Sequence, residues 1–360
     1  MKRIFSIALL SVLCGVYAKE PVIKYSEKTL DRKGVKLVRK MWDVDFHHSK
    51  LNFRNTLTPE GQLAKGAWDD LFLGLSHGTI NNGSWDGWNF INIRSVKSKS
   101  LPEGEPVSKM DFVRFSDSSS LHLNWPSGQL RVLQQANNSK WMYVKVVIPD
   151  GIRSVTLRVR PGGAHYNIKG RERIIHYNGN EYNSVNGKRP VLPMAKGVDG
   201  MAFFSRNYNE KYGNFLIFES NKVAKMDYHS ENPIYITFYP APGVKEMNFG
   251  LSYFSNEDAA DTIKRFLVEQ LPTAKKAMDS IQWDKTPDFS EFKRNAAQVK
   301  TLISSFTGEA KAKFEKEFAA INKAYEIANQ KKDVSAYNDA LAKLRKLQQN
   351  VGTYAMNLLK

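Results

Sequence analysis

The densest group of basic and titratable side chains in the sequence lies between residues 158 and 177. Its candidate ligand-binding members are Arg158, Arg160, His165, Tyr166, Arg171, Arg173, His176 and Tyr177. A guanidinium binds a carboxylate or sulfate through two parallel hydrogen bonds, so this composition predicts an anion-binding site. The alternative is that these residues have no binding role and occupy strand positions that face solvent.

The same residue types would also suit a β-elimination on a uronate. In that reaction a cation neutralises the carboxylate, a base removes the α-proton, and a His or Tyr protonates the leaving oxygen. The carboxylate pairs Asp43/Asp45 and Asp69/Asp70 leave a glycoside hydrolase open as well, although spacing in sequence does not establish a cleft. A polysaccharide lyase or glycoside hydrolase is therefore an alternative hypothesis.

A second group of candidate residues lies in the segment 81–89, which is rich in Asn and Gly and predicts a loop. It contains Asn82, Trp85, Asp86 and Trp88. An indole face packs against the C–H face of a sugar, while amide and carboxylate groups hydrogen-bond to its hydroxyls. The segment predicts a sugar-binding loop, and the alternative is that both indoles close one end of a sandwich core.

Motifs of common catalytic sites are absent from the sequence. It contains no nucleophile elbow, no phosphate-binding glycine loop and no His-Glu-x-x-His helix. His47 and His48 are adjacent, and adjacent strand residues point to opposite faces, so they do not predict a shared metal. We expect no metal and no cofactor, and a non-catalytic protein is favoured over an enzyme.

The N-terminus has the pattern of a secretory signal peptide. Lys2 and Arg3 precede a short apolar run, and Val16-Tyr17-Ala18 resembles a cleavage site. The run is too short to span a bilayer core of about 30 Å, and no later apolar stretch reaches 18 residues. We expect cleavage near Ala18, a periplasmic or extracellular location and no transmembrane segment, with a retained anchor as the alternative.

The chain is strongly basic. Its formal net charge is +17 at pH 7, from 53 Lys and Arg against 36 Asp and Glu. Such a charge favours a polysaccharide or another anionic polymer as partner, unless the lysines are spread evenly over the surface. The sequence lacks helix-turn-helix, zinc-finger and RNA-binding signatures, so nucleic acid is not expected. Cys14 is the only cysteine and lies in the predicted signal, so no disulfide is expected.

The composition changes near residue 256, which predicts a signal peptide at 1–18, a β-sandwich domain at 19–255 and a helical domain at 256–360. Apolar residues alternate with polar ones at several places before residue 256. Four such runs are 121–125, 141–148, 155–160 and 234–239, and 215–218 reads as a strand buried on both faces. No helical pattern separates them, so we predict an antiparallel β-sandwich, in one form a large two-sheet supersandwich.

Beyond residue 256 the chain is rich in Ala, Lys, Glu and Gln. Apolar residues recur every three or four positions in three segments, beginning at Phe292, Phe314 and Val334. These seams predict a bundle of three helices, or of four if residues 257–270 join it. The seams could instead close on another subunit, so residues 288–360 are a candidate surface for a protein partner or self-association. A structural or assembly protein acting through this bundle is a further hypothesis.

The function that these patterns favour is that of an exported envelope or extracellular protein. Its β domain is predicted to bind carbohydrate or an anionic polymer through the two groups of residues named above.

Overall fold

The structure is a computed structural model. It describes residues 22–46, 49–64, 71–77, 87–95, 100–101, 109–125, 128–135, 140–147, 152–160, 172–183, 191–206, 212–230, 234–255 and 258–358. The predicted signal peptide, residues 1–18, lies outside these ranges. Within them, no helix combines the length and the apolar character needed to cross a bilayer.

Two antiparallel sheets form the larger part of the described chain. The first has ten strands in the order β1-β2-β3-β4-β5-β11-β18-β17-β14, with β6 beside β5. Its strands are β1 (Val22–Arg32), β2 (Val35–Phe46), β3 (Ser49–Leu57), β4 (Leu71–His77), β5 (Gly87–Ser95), β6 (Ser100–Leu101), β11 (Ile152–Arg160), β14 (Val191–Leu192), β17 (Val223–Ser230) and β18 (Ile234–Pro240).

The second sheet has nine strands in the order β13-β12-β15-β16-β19-β10-β9-β8-β7. Its strands are β7 (Lys109–Arg114), β8 (Ser118–Trp125), β9 (Gly128–Gln135), β10 (Met142–Val147), β12 (Glu172–Tyr177), β13 (Asn180–Asn183), β15 (Gly200–Arg206), β16 (Tyr212–Phe218) and β19 (Glu246–Ser255).

The apolar faces of the two sheets pack together. Phe238 on β18 lies 5.2 Å, centroid to centroid, from Phe218 on β16 and 5.3 Å from Phe249 on β19. The alternate residues of β11 that face this core are buried completely, as the sequence pattern predicts. The predicted β-sandwich is therefore confirmed, and the run 215–218 is buried on both faces as expected.

The C-terminal region forms a three-helix bundle of α3 (Ser290–Ser304), α4 (Gly308–Lys331) and α5 (Val334–Leu358). Its core contains the apolar residues at the three- and four-residue spacing, including Phe292, Val299, Tyr325 and Leu344. The predicted fold class, a sandwich followed by a helical bundle, is confirmed. The first of these helices begins at Ser290, whose N–H donates to the Asp288 carboxylate at 2.8 Å.

A further helical segment, residues 259–279, packs on the β-sandwich. It consists of α1 (Ala259–Arg265), a π-helical turn (Phe266–Gln270) and α2 (Leu271–Asp279). The Phe266 ring stacks on Phe215 of β16 at 3.8 Å, on the face of the second sheet that points away from the core. The π turn ends where Pro272 enters the helix, since proline cannot donate the usual backbone hydrogen bond.

Contacts within the chain define two compact units. One contains Asp111–Leu121 and Asp284–Lys360, and the other contains Glu20–Met110 and His122–Trp283. Within the first unit the bundle holds the segment 111–121, since Asn338 donates to the Phe112 carbonyl at 2.8 Å and Lys285 pairs with Asp117 at 2.5 Å. The division of the chain into folding domains at residues 255 and 256 stays a prediction.

Candidate ligand-binding site

Three neighbouring strands toward the β14 edge of the ten-stranded sheet carry polar side chains on the face away from the core. We call this set the polar face: Ser154 and Thr156 of β11, Tyr235, Thr237 and Tyr239 of β18, and Lys225 and Asp227 of β17. They alternate with the core residues of the same strands, and the strand register places Thr156, Thr237 and Asp227 side by side. The sequence therefore builds an apolar and a polar face on the same three strands.

The centre of the polar face is buried although it does not belong to the core between the sheets. Thr156, Thr237 and Asp227 are 3%, 8% and 6% exposed. A carboxylate this deeply buried needs hydrogen bonds, and the Tyr239 hydroxyl donates to Asp227 Oδ2 at 2.6 Å. The hydroxyls of Thr156 and Thr237 share a hydrogen bond at 3.2 Å.

The electrostatics of the polar face combine one fixed anion with a neighbouring cation. Lys225 Nζ lies 5.2 Å from the centroid of the Tyr239 ring, within the range of a cation–π contact. The Asp227 carboxylate therefore accepts a hydrogen bond from the Tyr239 phenol, and the ring of the same phenol contacts the Lys225 ammonium group. This arrangement offers hydrogen-bond acceptors, hydroxyl groups and a positive charge on one patch, which suits a ligand rich in hydroxyls.

Strand register brings two groups of predicted residues close to the polar face. Arg158 is the register partner of Tyr235 on one side and of Phe90 on the other. Trp88 of β5 is the partner of Val159, and Arg160 is the next residue of β11. Residues from the Trp-containing segment 81–89 and from the group at 158–177, called the arginine-rich group below, thus lie on adjacent strands although they are distant in sequence.

The other described members of the arginine-rich group lie on β12 in the second sheet. His176 and Tyr177 are adjacent on this strand and face opposite sides, and Arg173 shares the face of Tyr177 by alternation. The Tyr177 hydroxyl donates to the Ala195 carbonyl at 3.3 Å and accepts from the Ala195 N–H at 3.1 Å. Burial raises the pKa of Tyr177, so its phenol stays neutral and stabilises the backbone at Ala195 through these two hydrogen bonds.

Six predicted ligand-binding residues lie outside the described part of the chain. They are Asn82, Trp85, Asp86, His165, Tyr166 and Arg171. The described members of the arginine-rich group are divided between β11 and β12, in different sheets. Their roles in binding stay predictions.

A cavity of about 260 Å³ lies between the outer face of the second sheet and the helical segment 259–279. It is lined by His176, Glu181, Phe204, Arg206, Asp258, Ala260, Ile263, Lys264 and Leu267. Drug-sized ligands occupy roughly 300–1,000 Å³, so this cavity suits a smaller molecule. Arg206 pairs with Glu172 at 3.2 Å and also with Glu181, so its charge is already compensated on the sheet side.

His176 lines this cavity and has a shifted pKa. Burial lowers the pKa of His176, and the nearby Glu181 carboxylate partly opposes the shift. The folded protein therefore binds a proton at His176 less readily than the unfolded chain does. The contribution of neutral His176 to stability is present above the ordinary histidine pKa of about 6.5 and is lost as the pH falls toward the lowered pKa.

Replacing Glu181 by glutamine is expected to lower the pKa of His176 further, because the carboxylate that favours the imidazolium is removed. The measurement is an NMR pH titration of the His176 ring, assigned by the signal that His176→Asn removes. Glu60→Gln, at an exposed carboxylate in the turn after β3, is the matched control and should leave the titration unchanged. A pKa of His176 that rises in Glu181→Gln would contradict this account.

Metal ligands do not cluster in the described ranges, where no group of three His, Cys, Asp or Glu side chains could hold an ion. The sequence patterns identified β18 only as a strand and made no prediction for β17, and they missed Asp227, Tyr239 and the two threonines as candidates. The sequence signal that could have identified the polar face is that Tyr235, Thr237 and Tyr239 all fall on the polar positions of β18.

Comparison with known proteins finds structural likenesses of low overlap. No family model matches the chain, and no curated protein matches it at the level of sequence. One similar solved structure is the YidC insertase with its first transmembrane domain resolved (13% identity, 84% of this chain, TM-score 0.29). This chain covers 56% of that structure's length.

Two other solved structures show likeness at the same level. The periplasmic domain of Thermotoga maritima YidC is 12% identical over 71% of this chain and 98% of that domain, with a TM-score of 0.29. A putative aldose 1-epimerase from Klebsiella pneumoniae is 11% identical over 74% of this chain and 89% of its own, with a TM-score of 0.32. Overlap this low assigns the chain to no family.

Proposed function

We propose that this protein is an exported carbohydrate-binding protein that holds an acidic saccharide on the polar face of its ten-stranded sheet. The observation that carries the proposal is the buried Asp227–Tyr239 pair beside the hydrogen-bonded Thr156 and Thr237. A carboxylate and hydroxyls with fixed orientation are the groups that recognise the hydroxyls of a sugar ring. Burial at the centre of the face limits competition from water for these hydrogen bonds.

The preference for an acidic saccharide follows from the positive charges. Lys225 belongs to the polar face, and Arg158 and Arg160 lie on β11 next to it. The net charge of +17 adds a long-range attraction for polyanions, which weakens as salt is added. The predicted signal peptide at residues 1–18 supports export. The expected ligand of an exported protein is an envelope or extracellular polymer.

Replacing Asp227 by asparagine is expected to weaken binding of an acidic oligosaccharide about ten- to a hundredfold. This loss of affinity corresponds to about 1.5–3 kcal/mol, which is the usual contribution of hydrogen bonds to a charged group. The measurement is isothermal calorimetry with oligogalacturonate and oligoalginate at two salt concentrations. Tyr239→Phe, which removes the hydroxyl that orients Asp227, should weaken binding in the same direction.

The matched control for this experiment is Asp261→Asn, at an exposed carboxylate of α1. Thermal unfolding of each variant separates loss of binding from loss of fold. Equal affinities of Asp227→Asn and Asp261→Asn would disprove the assignment of the polar face. Absorbance of unsaturated sugar ends that grows with time would show a lyase instead of a binding protein.

A further inference from the structure

Three aromatic rings form a row across the first three strands of the ten-stranded sheet. The register pairs Tyr25 of β1 with Trp42 of β2, and Trp42 with Phe53 of β3. The ring centroids are 5.2 Å and 5.3 Å apart. We call these three residues the aromatic row.

The aromatic row runs from a buried end to an exposed end. Phe53 is 2% exposed, Trp42 is half-buried, and Tyr25 at the edge is 50% exposed. The Tyr25 hydroxyl donates to Glu27 on the same strand, so the polar atom of this side chain already has a partner. What remains available is the flat face of the ring, which favours an equally flat and weakly polar surface.

Charged groups beside the aromatic row are balanced. Glu27 is the register partner of Lys40, with its carboxylate 3.8 Å from the ammonium, and Asp31 is the partner of Lys36. Each acid on this face of β1 therefore lies opposite a lysine of β2, and the described residues of β1 and β2 on this face carry no net charge. A polyanion gains nothing here, whereas a neutral ligand with hydroxyls finds both a donor and an acceptor next to the rings.

The hairpin that carries the exposed end is well defined. Its turn consists of Lys33 and Gly34, whose φ values of 54° and 81° fit the tight turn that matches the twist of paired strands. The Asp31 carboxylate accepts the Gly34 N–H at 2.9 Å and closes the turn. The ring of Tyr25 is thus presented on a regular two-stranded support.

We propose that the aromatic row is a second carbohydrate-contact surface, which stacks on the sugar rings of a neutral polysaccharide while Glu27 and Lys40 hydrogen-bond its hydroxyls. The sugar class rests on the proposed function, but the location does not, because β1–β3 share no residue with the polar face. The protein would then hold an acidic saccharide at one place and a neutral chain at another.

The test uses the full chain and two insoluble neutral polymers, cellulose and chitin, with phosphatidylcholine vesicles as a comparison surface. We expect retention on at least one polymer, unchanged at high salt because the contact is uncharged. Tyr25→Ala should weaken retention about five- to tenfold. Trp42→Phe keeps an aromatic side chain in the half-buried position and should weaken it less.

The matched control is Lys24→Ala, at the adjacent position of β1 and on the opposite face. Retention of this variant should equal that of the original protein. Absence of retention on both polymers, equal retention of Tyr25→Ala and Lys24→Ala, or binding to vesicles alone would overturn the proposal.

Failure of this proposal and failure of the proposed function are separable. Asp227→Asn should leave retention on the neutral polymer intact, and Tyr25→Ala should leave binding of acidic oligosaccharides intact. Loss of both activities in either variant would overturn the assignment of two separate surfaces.

Discussion

Replacing Glu291 by glutamine is expected to destabilise the helical unit by about 3 kcal/mol or more. The Glu291 side chain is 3% exposed and pairs with Arg114 and, at 2.6 Å, with Arg345. Glutamine keeps the volume but removes the negative charge that pairs with the Arg114 guanidinium, which is itself only 19% exposed. Removing one partner of a buried ion pair costs much more than the intact pair contributes, which is why the effect exceeds that of a surface salt bridge.

The measurement for Glu291→Gln is denaturant unfolding followed by helical circular dichroism. Glu315→Gln is the matched control, since Glu315 lies on the exposed side of α4 with Lys311 at 3.9 Å. Exposed pairs of this kind are worth about 0–1 kcal/mol, so the control should unfold nearly as the original protein does. Indistinguishable midpoints for the two variants would show that Glu291 does not hold 111–121 to the bundle.

Replacing Gly213 by alanine is expected to cost about 3 kcal/mol or more in the free energy of unfolding of the sandwich unit. A Cβ at this position would collide with the carbonyl oxygen of Phe203 and with the ring of Phe254. Phe203 belongs to β15, which pairs with β16 at this point, so its carbonyl cannot move without disturbing the ladder. Overpacking usually costs about 1–3 kcal/mol, and a backbone obstacle places this site at the upper end or beyond.

The matched control for Gly213→Ala is Gly352→Ala in α5, where a Cβ would meet open space. Alanine is the better helix former, so this variant should be stabilised by about 0.5–1 kcal/mol. Thermal and denaturant unfolding of both variants would give opposite signs. A neutral effect at Gly213 would show that β15 and β16 are not in close contact there.

Much of the fold was predictable because the patterns that specify it are local. Alternation along 155–160 and 234–239 identifies strands and their buried faces, since successive strand residues point to opposite sides. The seams from Phe292, Phe314 and Val334 identify three helices by the same kind of reasoning, at a period near 3.6. The segment 259–279 was harder, because a helix that packs on a sheet has the same pattern as one that joins a bundle.

The candidate site was less predictable because it depends on contacts between residues far apart in sequence. The arginine-rich group looked like one site because its members are close along the chain. Strand order instead places Arg158 beside Tyr235 in one sheet and His176 in the other. Asp227 is a single acid in a strand and matches no binding motif, so only its contact with Tyr239 makes it a candidate.

The sequence by itself determined the element types, the faces that are buried, the basic charge and the predicted export signal, because these follow from composition and short-range periodicity. Tertiary structure alone decided which polar rows are neighbours, that Asp227 is buried beside Thr237, and that Tyr25 extends a row begun by Phe53. The physical reason is that register and strand order arise from packing of the two sheets as a whole. No short stretch of residues encodes them.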